Sequence, residues 1–264
     1  MSNGKLGEFV YRLRGKTPLD RLVAEGLLSE EEALRAAKGS STERRHTSAG
    51  RTLFLKHELM ISRFHMLLEA ACRDSGGKLV LKDWRQGSET WNTVRIIEGE
   101  EQRVLPHRPD AVFTLDEHSA PDGQKVSHFF YEADCGTMTA ARMLDKLKAH
   151  LAFLLQGRHT DAYGFKRLRA VLIECPTLER AEQVRGWAFQ VCPEEPLFWI
   201  TVSSLLYSPG ERSNKYETRV WMTVRDHEML ALSSAHQPRG VSGGLPKGDR
   251  SENTATKTKT LYNW

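Results

Sequence analysis

Cysteine is scarce in this chain. Its four thiols, Cys72, Cys135, Cys175 and Cys192, show no C-x-x-C spacing, which argues against zinc ligation and dithiol chemistry. Small buried thiols are the expectation, Cys135 included, although it stands beside the acids discussed below. No apolar run approaches the ~18 residues of a membrane span. The first residues carry charge but no apolar signal core, so a cytoplasmic protein without membrane contact is expected. The ten histidines include no H-E-x-x-H or other paired ligand spacing, and no G-x-S-x-G elbow is present for a serine hydrolase. Gly243-Gly244-Leu245-Pro246-Lys247-Gly248 is not a phosphate-binding loop, because no strand pattern precedes it and no helix pattern follows. A large charge of one sign is also missing: a net +4 and a pI near 8.9 fall short of a nucleic-acid-binding tail.

The distribution of charge says more than the total. Basic residues gather at Arg12, Arg14 and Lys16, then at Lys38, Arg44, Arg45, Arg51 and Lys56, and again at Lys166, Arg167 and Arg169. Each cluster fits phosphate contact or a solvated surface equally well.

Hydrophobic periodicity divides the chain into 1–42, 43–207, 208–235 and 236–264. The first part reads as a helical hairpin over 18–38 and a linker, with Ser29 and Glu32 as a capping box and leucines free to meet a protein partner. In the second, a helix over 54–74 carries Leu55, Leu59, Ser62, Met66 and Ala70 on one stripe. Strands are expected over 78–84, 92–97, 111–116 and 126–132, then a helix over 139–155, a strand over 168–174, a helix over 178–189 and a strand over 197–202. Both faces of the central strands are apolar, as a sheet covered by helices on both sides requires. The fold class is therefore α/β, a mixed sheet flanked by helices. Val220, Met222 and Val224 suggest one further strand, and the Gly-, Ser-, Thr- and Lys-rich end from 236 reads as disordered.

The chemistry-bearing stretch is Arg108-Pro109-Asp110, followed one hairpin later by Glu132-Ala133-Asp134. Residues two apart in a strand share a face, so Glu132 and Asp134 point the same way. Asp110 joins them only if directly paired residues have an even index sum, since one residue of slip flips the face. A two-residue turn at Asp122-Gly123 would give an odd sum, so a three-residue loop with left-handed Gly123, or a bulge, is required. Three converging oxygen donors would suit a hard cation such as Mg²⁺. On spacing alone, ordinary strand-end acids are the commoner explanation.

From Phe54 to about Leu206 the chain resembles the replication-relaxation family of plasmids and mobile elements, itself similar to PD-(D/E)xK nuclease-like domains. The residues that carry the resemblance are Leu55-Lys56-His57-Glu58-Leu59, Arg108-Pro109-Asp110-Ala111, the run from Phe129 to Thr137, Lys146 within Lys146-Leu147-Lys148-Ala149-His150, and Val171-Leu172-Ile173-Glu174-Cys175-Pro176. Two features depart from the family pattern. A full winged helix-turn-helix has no room, with only Gly7 to Leu13 as a remnant of its wing, and Asp134 stands where the nuclease-like motif places lysine.

The resemblance implies a restriction-endonuclease-like core. It implies a site of Asp110, Glu132, Asp134 and Lys146, with Mg²⁺ or Mn²⁺ on the three acids and DNA contacts from Arg44, Arg45, Arg51, Lys56, Arg108 and Lys148. A DNA-binding accessory protein of replication or mobilisation is the first expectation, an active metal-dependent endonuclease or nickase the second, and a non-catalytic protein-interaction module the third. Lys146 separates the first two. If its ammonium approaches the carboxylates, Mn²⁺-dependent nicking is expected; if it points to solvent, DNA binding at most. His57 matches the helix-opening histidine of the family, and His128 and His150 are candidates to flank the acids.

Overall fold

The structure is a computed structural model in which residues 48–193, 197–207, 216–224 and 229–233 are described. The chain divides into two units, Met1–Phe54 and Leu55–Trp264, and the strands among the described residues belong to the second. The expected N-terminal hairpin, its partner surface and the C-terminal tail lie outside the described residues.

Helix α1 (Ser48–Asp74) leads to β1 (Leu79–Gln86), a 3₁₀ turn (Gly87–Thr90) and the hairpin of β2 (Asn92–Glu98) and β3 (Glu101–His107). Next come β4 (Ala111–Glu117), β5 (Val126–Ala133), α2 (Ala140–Leu155), the short α3 (Arg158–Tyr163) and β6 (Ala170–Cys175). Helix α4 (Leu178–Val191), β7 (Phe198–Val202), α5 (Ser203–Leu206), β8 (Trp221–Thr223) and β9 (Met229–Leu230) complete the order. Seven strands form one mixed sheet in the order β1-β4-β5-β6-β7-β8-β9, with β5-β6-β7 parallel and the rest antiparallel.

The expected pairing of the two central strands is present, and both lie inside the sheet. All seven residues of β4 are buried, because helices cover both faces. Ala111, Phe113 and Leu115 pack with Phe64 and Leu68 of α1, whereas Val112, Phe130 and Val171 pack with Met143 and Leu147 of α2 and Val184 of α4. Phe64 stacks on Tyr131 at 4.2 Å with 2° between the rings. Burying such a ring contributes about 2–3 kcal/mol.

Three expectations need correction. The stripe of α1 that packs is Met60, Ile61, Phe64, Leu68 and Ala71, while Leu55 and Met66 of the expected stripe are exposed. Both stripes are apolar at helical spacing, and the sheet takes the one that carries the phenylalanine ring. This choice also turns His57 inward. Strand β3 went unread because acids, Arg103 and Pro106 mask its alternation, in a two-stranded ribbon where proline is tolerated.

The third correction concerns the hairpin between β4 and β5. Ala111 pairs with Tyr131 and Val112 with Phe130, so the register is even. A loop longer than three residues achieves it: the Glu117 N–H donates to Lys125 O at 2.8 Å, and Gln124 N–H to Pro121 O at 3.0 Å. Gly123 sits at φ +81° within that turn, a value glycine adopts without strain.

Candidate functional site

The even register runs to the Ala111–Tyr131 pair, which puts Asp110 and Glu132, the next residue on each side, at the sheet end where β4 starts and β5 and β6 finish. The Asp110 N–H donates to Tyr131 O at 3.0 Å. Its carboxylate accepts the Ala133 N–H at 2.8 Å and lies 3.1 Å from His57 Nε2. Asp110 is thus oriented by both neighbouring elements, α1 and β5.

Lys146 comes from α2, a run rich in alanine and leucine that starts after Thr139 and stops before Gly157. Met143, Leu147 and His150 lie on its packed face, and Lys146 projects at the margin of that face over the end of β5. Its ammonium touches Glu132 Oε2 and lies 4.0 Å from Asp110 Oδ2, with a quarter of the side chain exposed (25%). The geometric condition set by the sequence is therefore met: the helix crosses the strand end closely enough for the lysine to join both acids.

Behind Glu132 runs a buried imidazole chain. His150 Nε2 lies 2.7 Å from Glu132 Oε1, and His150 Nδ1 lies 3.1 Å from His107 Nε2. Burial holds the pKa of His150 down to about 3 and depresses that of His107 as well, so both rings are neutral at pH 7. For Glu132 the desolvation outweighs Lys146 and raises the carboxyl well above its ordinary range. Asp110 is also desolvated, but Lys146 and His57 overcome this and hold it below the usual carboxylate range. Lys146 answers in kind: burial favours its neutral form, yet Asp110 and Glu132 raise its pKa. The hydrogen bond to Asp110 raises His57 against the effect of burial.

Asp134 lines the same cleft but has its own cation. Arg180 Nε donates to its Oδ2 at 2.6 Å and another guanidinium nitrogen to its Oδ1 at 3.3 Å; the guanidinium also donates to Met138 O at 2.9 Å and lies 4.9 Å over the Trp187 ring. Thr177 caps α4 by accepting the Arg180 N–H at 3.2 Å, which starts the helix where Arg180 can reach the loop after β5. Gly136 in that loop has φ +77°, and a Cβ there would meet Pro176 Cγ at 3.2 Å. The expected trio is accordingly corrected to a pair, Asp110 and Glu132, with Asp134 clamped by Arg180. Among the described residues, no group of three or more His, Cys, Asp or Glu side chains is disposed to hold a metal ion.

The basic candidates divide. Arg44 and Arg45 lie outside the described residues, and Arg51 is placed only as a residue of α1. Lys56 is exposed beside His57, and Arg108 is exposed two residues before Asp110. Lys148 bonds Glu98 at 2.6 Å, tying α2 to the β2–β3 hairpin. Of the histidines, His57 and His150 flank the acids, whereas His128 bonds Thr114 at 2.9 Å and stacks on Phe165 at 3.9 Å. Sequence reasoning missed Arg180 and His107. No local pattern pointed Arg180 at Asp134, and the unread strand β3 hid His107.

These observations define a mixed α/β protein with a carboxylate–lysine cluster at one end of its central strands. The chain belongs to the replication-relaxation family, whose model matches residues 8–168. That span holds Asp110, Glu132, Asp134 and Lys146 and stops before Arg180; it begins earlier and ends sooner than the 54–206 marked by the sequence motifs. No curated protein and no solved structure matches the chain. Among the described residues, no helix is long and apolar enough to cross a membrane.

Proposed function

We propose that this chain is a DNA-acting accessory protein of plasmid or mobile-element replication, built on a PD-(D/E)xK-like core and working in the cytoplasm. The observation that carries this reading is the convergence of Asp110, Glu132 and Lys146 at one sheet end. The order of helix, antiparallel meander, helix and parallel strand supports it. So does Lys146, a helix-borne cation beside the motif acids where Asp134 stands in place of the strand lysine. Bare acids would repel DNA, but here Lys146 and a protonated His57 together offset Asp110 and Glu132, and Arg180 offsets Asp134. A phosphate can therefore approach.

Lys146 also favours a catalytic version, a nickase using Mg²⁺ or Mn²⁺. Asp110 and Glu132 are hard oxygen donors that already hold one positive charge between them, which fits a cation that takes one or two carboxylates and completes its shell with water and substrate phosphate. When bound, such a cation supplies Lewis-acid activation of the phosphate and a more acidic water. Asp110 and Glu132 would hold it, Lys146 would stabilise charge gathering on the phosphate oxygens, and His150 would keep Glu132 oriented. The test is purified protein with supercoiled plasmid, with and without Mn²⁺. Nicking that disappears in both Asp110→Asn and Lys146→Ala is the expected result; binding without nicking returns the chain to an accessory role, and neither activity refutes the DNA reading.

A further inference from the structure

We propose that Trp91 and Arg108 form a stacking platform for an unpaired base at the mouth of the Asp110–Glu132–Lys146 cluster, so that the DNA engaged there is single-stranded or locally opened. This rests on the DNA-acting reading above and narrows its substrate.

Trp91 is 57% exposed, an unusual position for a side chain whose burial would be so favourable. Its backbone is nevertheless held on all sides. Thr90 is fully buried, and its hydroxyl lies 2.9 Å from Gly87 O and 2.7 Å from Pro109 O. The Tyr163 hydroxyl and the Asn92 amide both donate to Thr90 O at 3.3 Å, and the Trp91 N–H donates to Ser88 O, also at 3.3 Å. An exposed indole on an anchored turn is a preorganised surface that loses little freedom when it binds.

The guanidinium of Arg108 lies 4.6 Å over that ring and is itself exposed. A planar cation on an indole offers a stacking face and a phosphate contact together. Its location joins it to the acidic cluster. Gln86, the last residue of β1, pairs with Ala111, so the turn that carries Trp91 leaves the sheet beside the start of β4. The Thr90–Pro109 bond fastens the turn to the residue preceding Asp110. Arg108 stands two residues before Asp110, at most about 7 Å of chain, which is one or two nucleotides of a strand crossing the site.

Within a duplex the faces of bases are covered by their neighbours, and an aromatic side chain reaches one only where the stack is opened, most readily at an unpaired base. Phosphate contacts alone would need no indole. Trp91 therefore points to opened DNA in preference to intact duplex.

The test is fluorescence anisotropy of the full chain with two labelled DNAs, a fully paired two-strand blunt duplex and the same duplex with a single-stranded arm. Wild type should prefer the armed DNA. Trp91→Ala should weaken that complex about tenfold while leaving the blunt complex unchanged, and Trp91→Phe should recover most of the loss. Arg108→Lys should keep the salt dependence and lose part of the preference. Equal effects of Trp91→Ala on both DNAs, or none on either, would overturn the platform and leave the DNA reading standing. Absence of wild-type binding to both DNAs would overturn the two together.

Discussion

Glu132 and Glu174 stand on adjacent parallel strands, one residue out of register, and face opposite sides of the sheet. Both are buried, and burial raises the pKa of both. Their partners differ. Glu174 accepts from three hydroxyls, Tyr131 at 2.7 Å, Ser203 at 2.5 Å and Tyr207 at 3.0 Å, and is sealed beneath α1. Glu132 meets an ammonium, an imidazole and a second carboxylate, at a point where Lys146 is open to solvent. Hydroxyl donors around a closed acid hold a fold together. Charged partners around an accessible pair of acids make a place where charge can be exchanged with a ligand.

The largest effect separating the two acids is expected in activity. Asp110→Asn and Lys146→Ala should each reduce Mn²⁺-dependent plasmid nicking by about 10²–10³-fold, whereas Glu174→Ala should leave the rate per folded molecule unchanged. Nicking that survives Asp110→Asn would move the chemistry away from this cluster. Stability should show the reverse order. Glu174→Ala strands the buried Tyr131 hydroxyl and the half-buried hydroxyls of Ser203 and Tyr207 and opens a void, for a loss of about 2–4 kcal/mol in urea unfolding.

Acid sensitivity sharpens the comparison further. His150 has a folded pKa near 3, below its ordinary 6.5, so the unfolded chain takes up a proton that the folded chain refuses. Stability from this group is complete above about pH 6.5 and is lost as pH falls toward 3, by up to about 1.4 kcal/mol per pH unit. His150→Gln should flatten the unfolding free energy over that window relative to wild type. An unchanged slope would show that His150 is hydrated or charged in the folded state. The smallest effect belongs to His57, whose pKa is raised by Asp110. Its contribution is full below 6.5 and is lost as pH rises through the higher folded value; at 30% exposure it amounts to less than about 1 kcal/mol. An NMR titration should find the His57 pKa elevated in wild type and below its ordinary value in Asp110→Asn, where burial and Lys146 are no longer opposed by Asp110.

Much of this site could be read from the chain. The proline-aspartate, the alternating acids and the two-sided apolar strands located the sheet end, and the demand for an even register was a local rule that the hairpin obeys. The loop that satisfies it was less legible, because a three-residue connection and a longer one carry the same Pro-Asp-Gly signal. Arg180 was hidden for a different reason: it lies 46 residues from Asp134, and no local pattern links a helix-start arginine to a particular acid.

Which segments become strands and helices follows from the order of residues alone, since periods of 2.0 and 3.6 are properties of the backbone. The common face of Asp110, Glu132 and Asp134 follows too, given their spacing and an even register. Packing in three dimensions chose the apolar stripe of α1 that faces the sheet, the acids that keep company with Lys146 and the one claimed by Arg180, and it gave Lys148 to the hairpin. Those choices depend on how helices cross a twisted sheet. Partners there are selected by distance across the fold, through competition for buried space and compensating charge that no local spacing encodes.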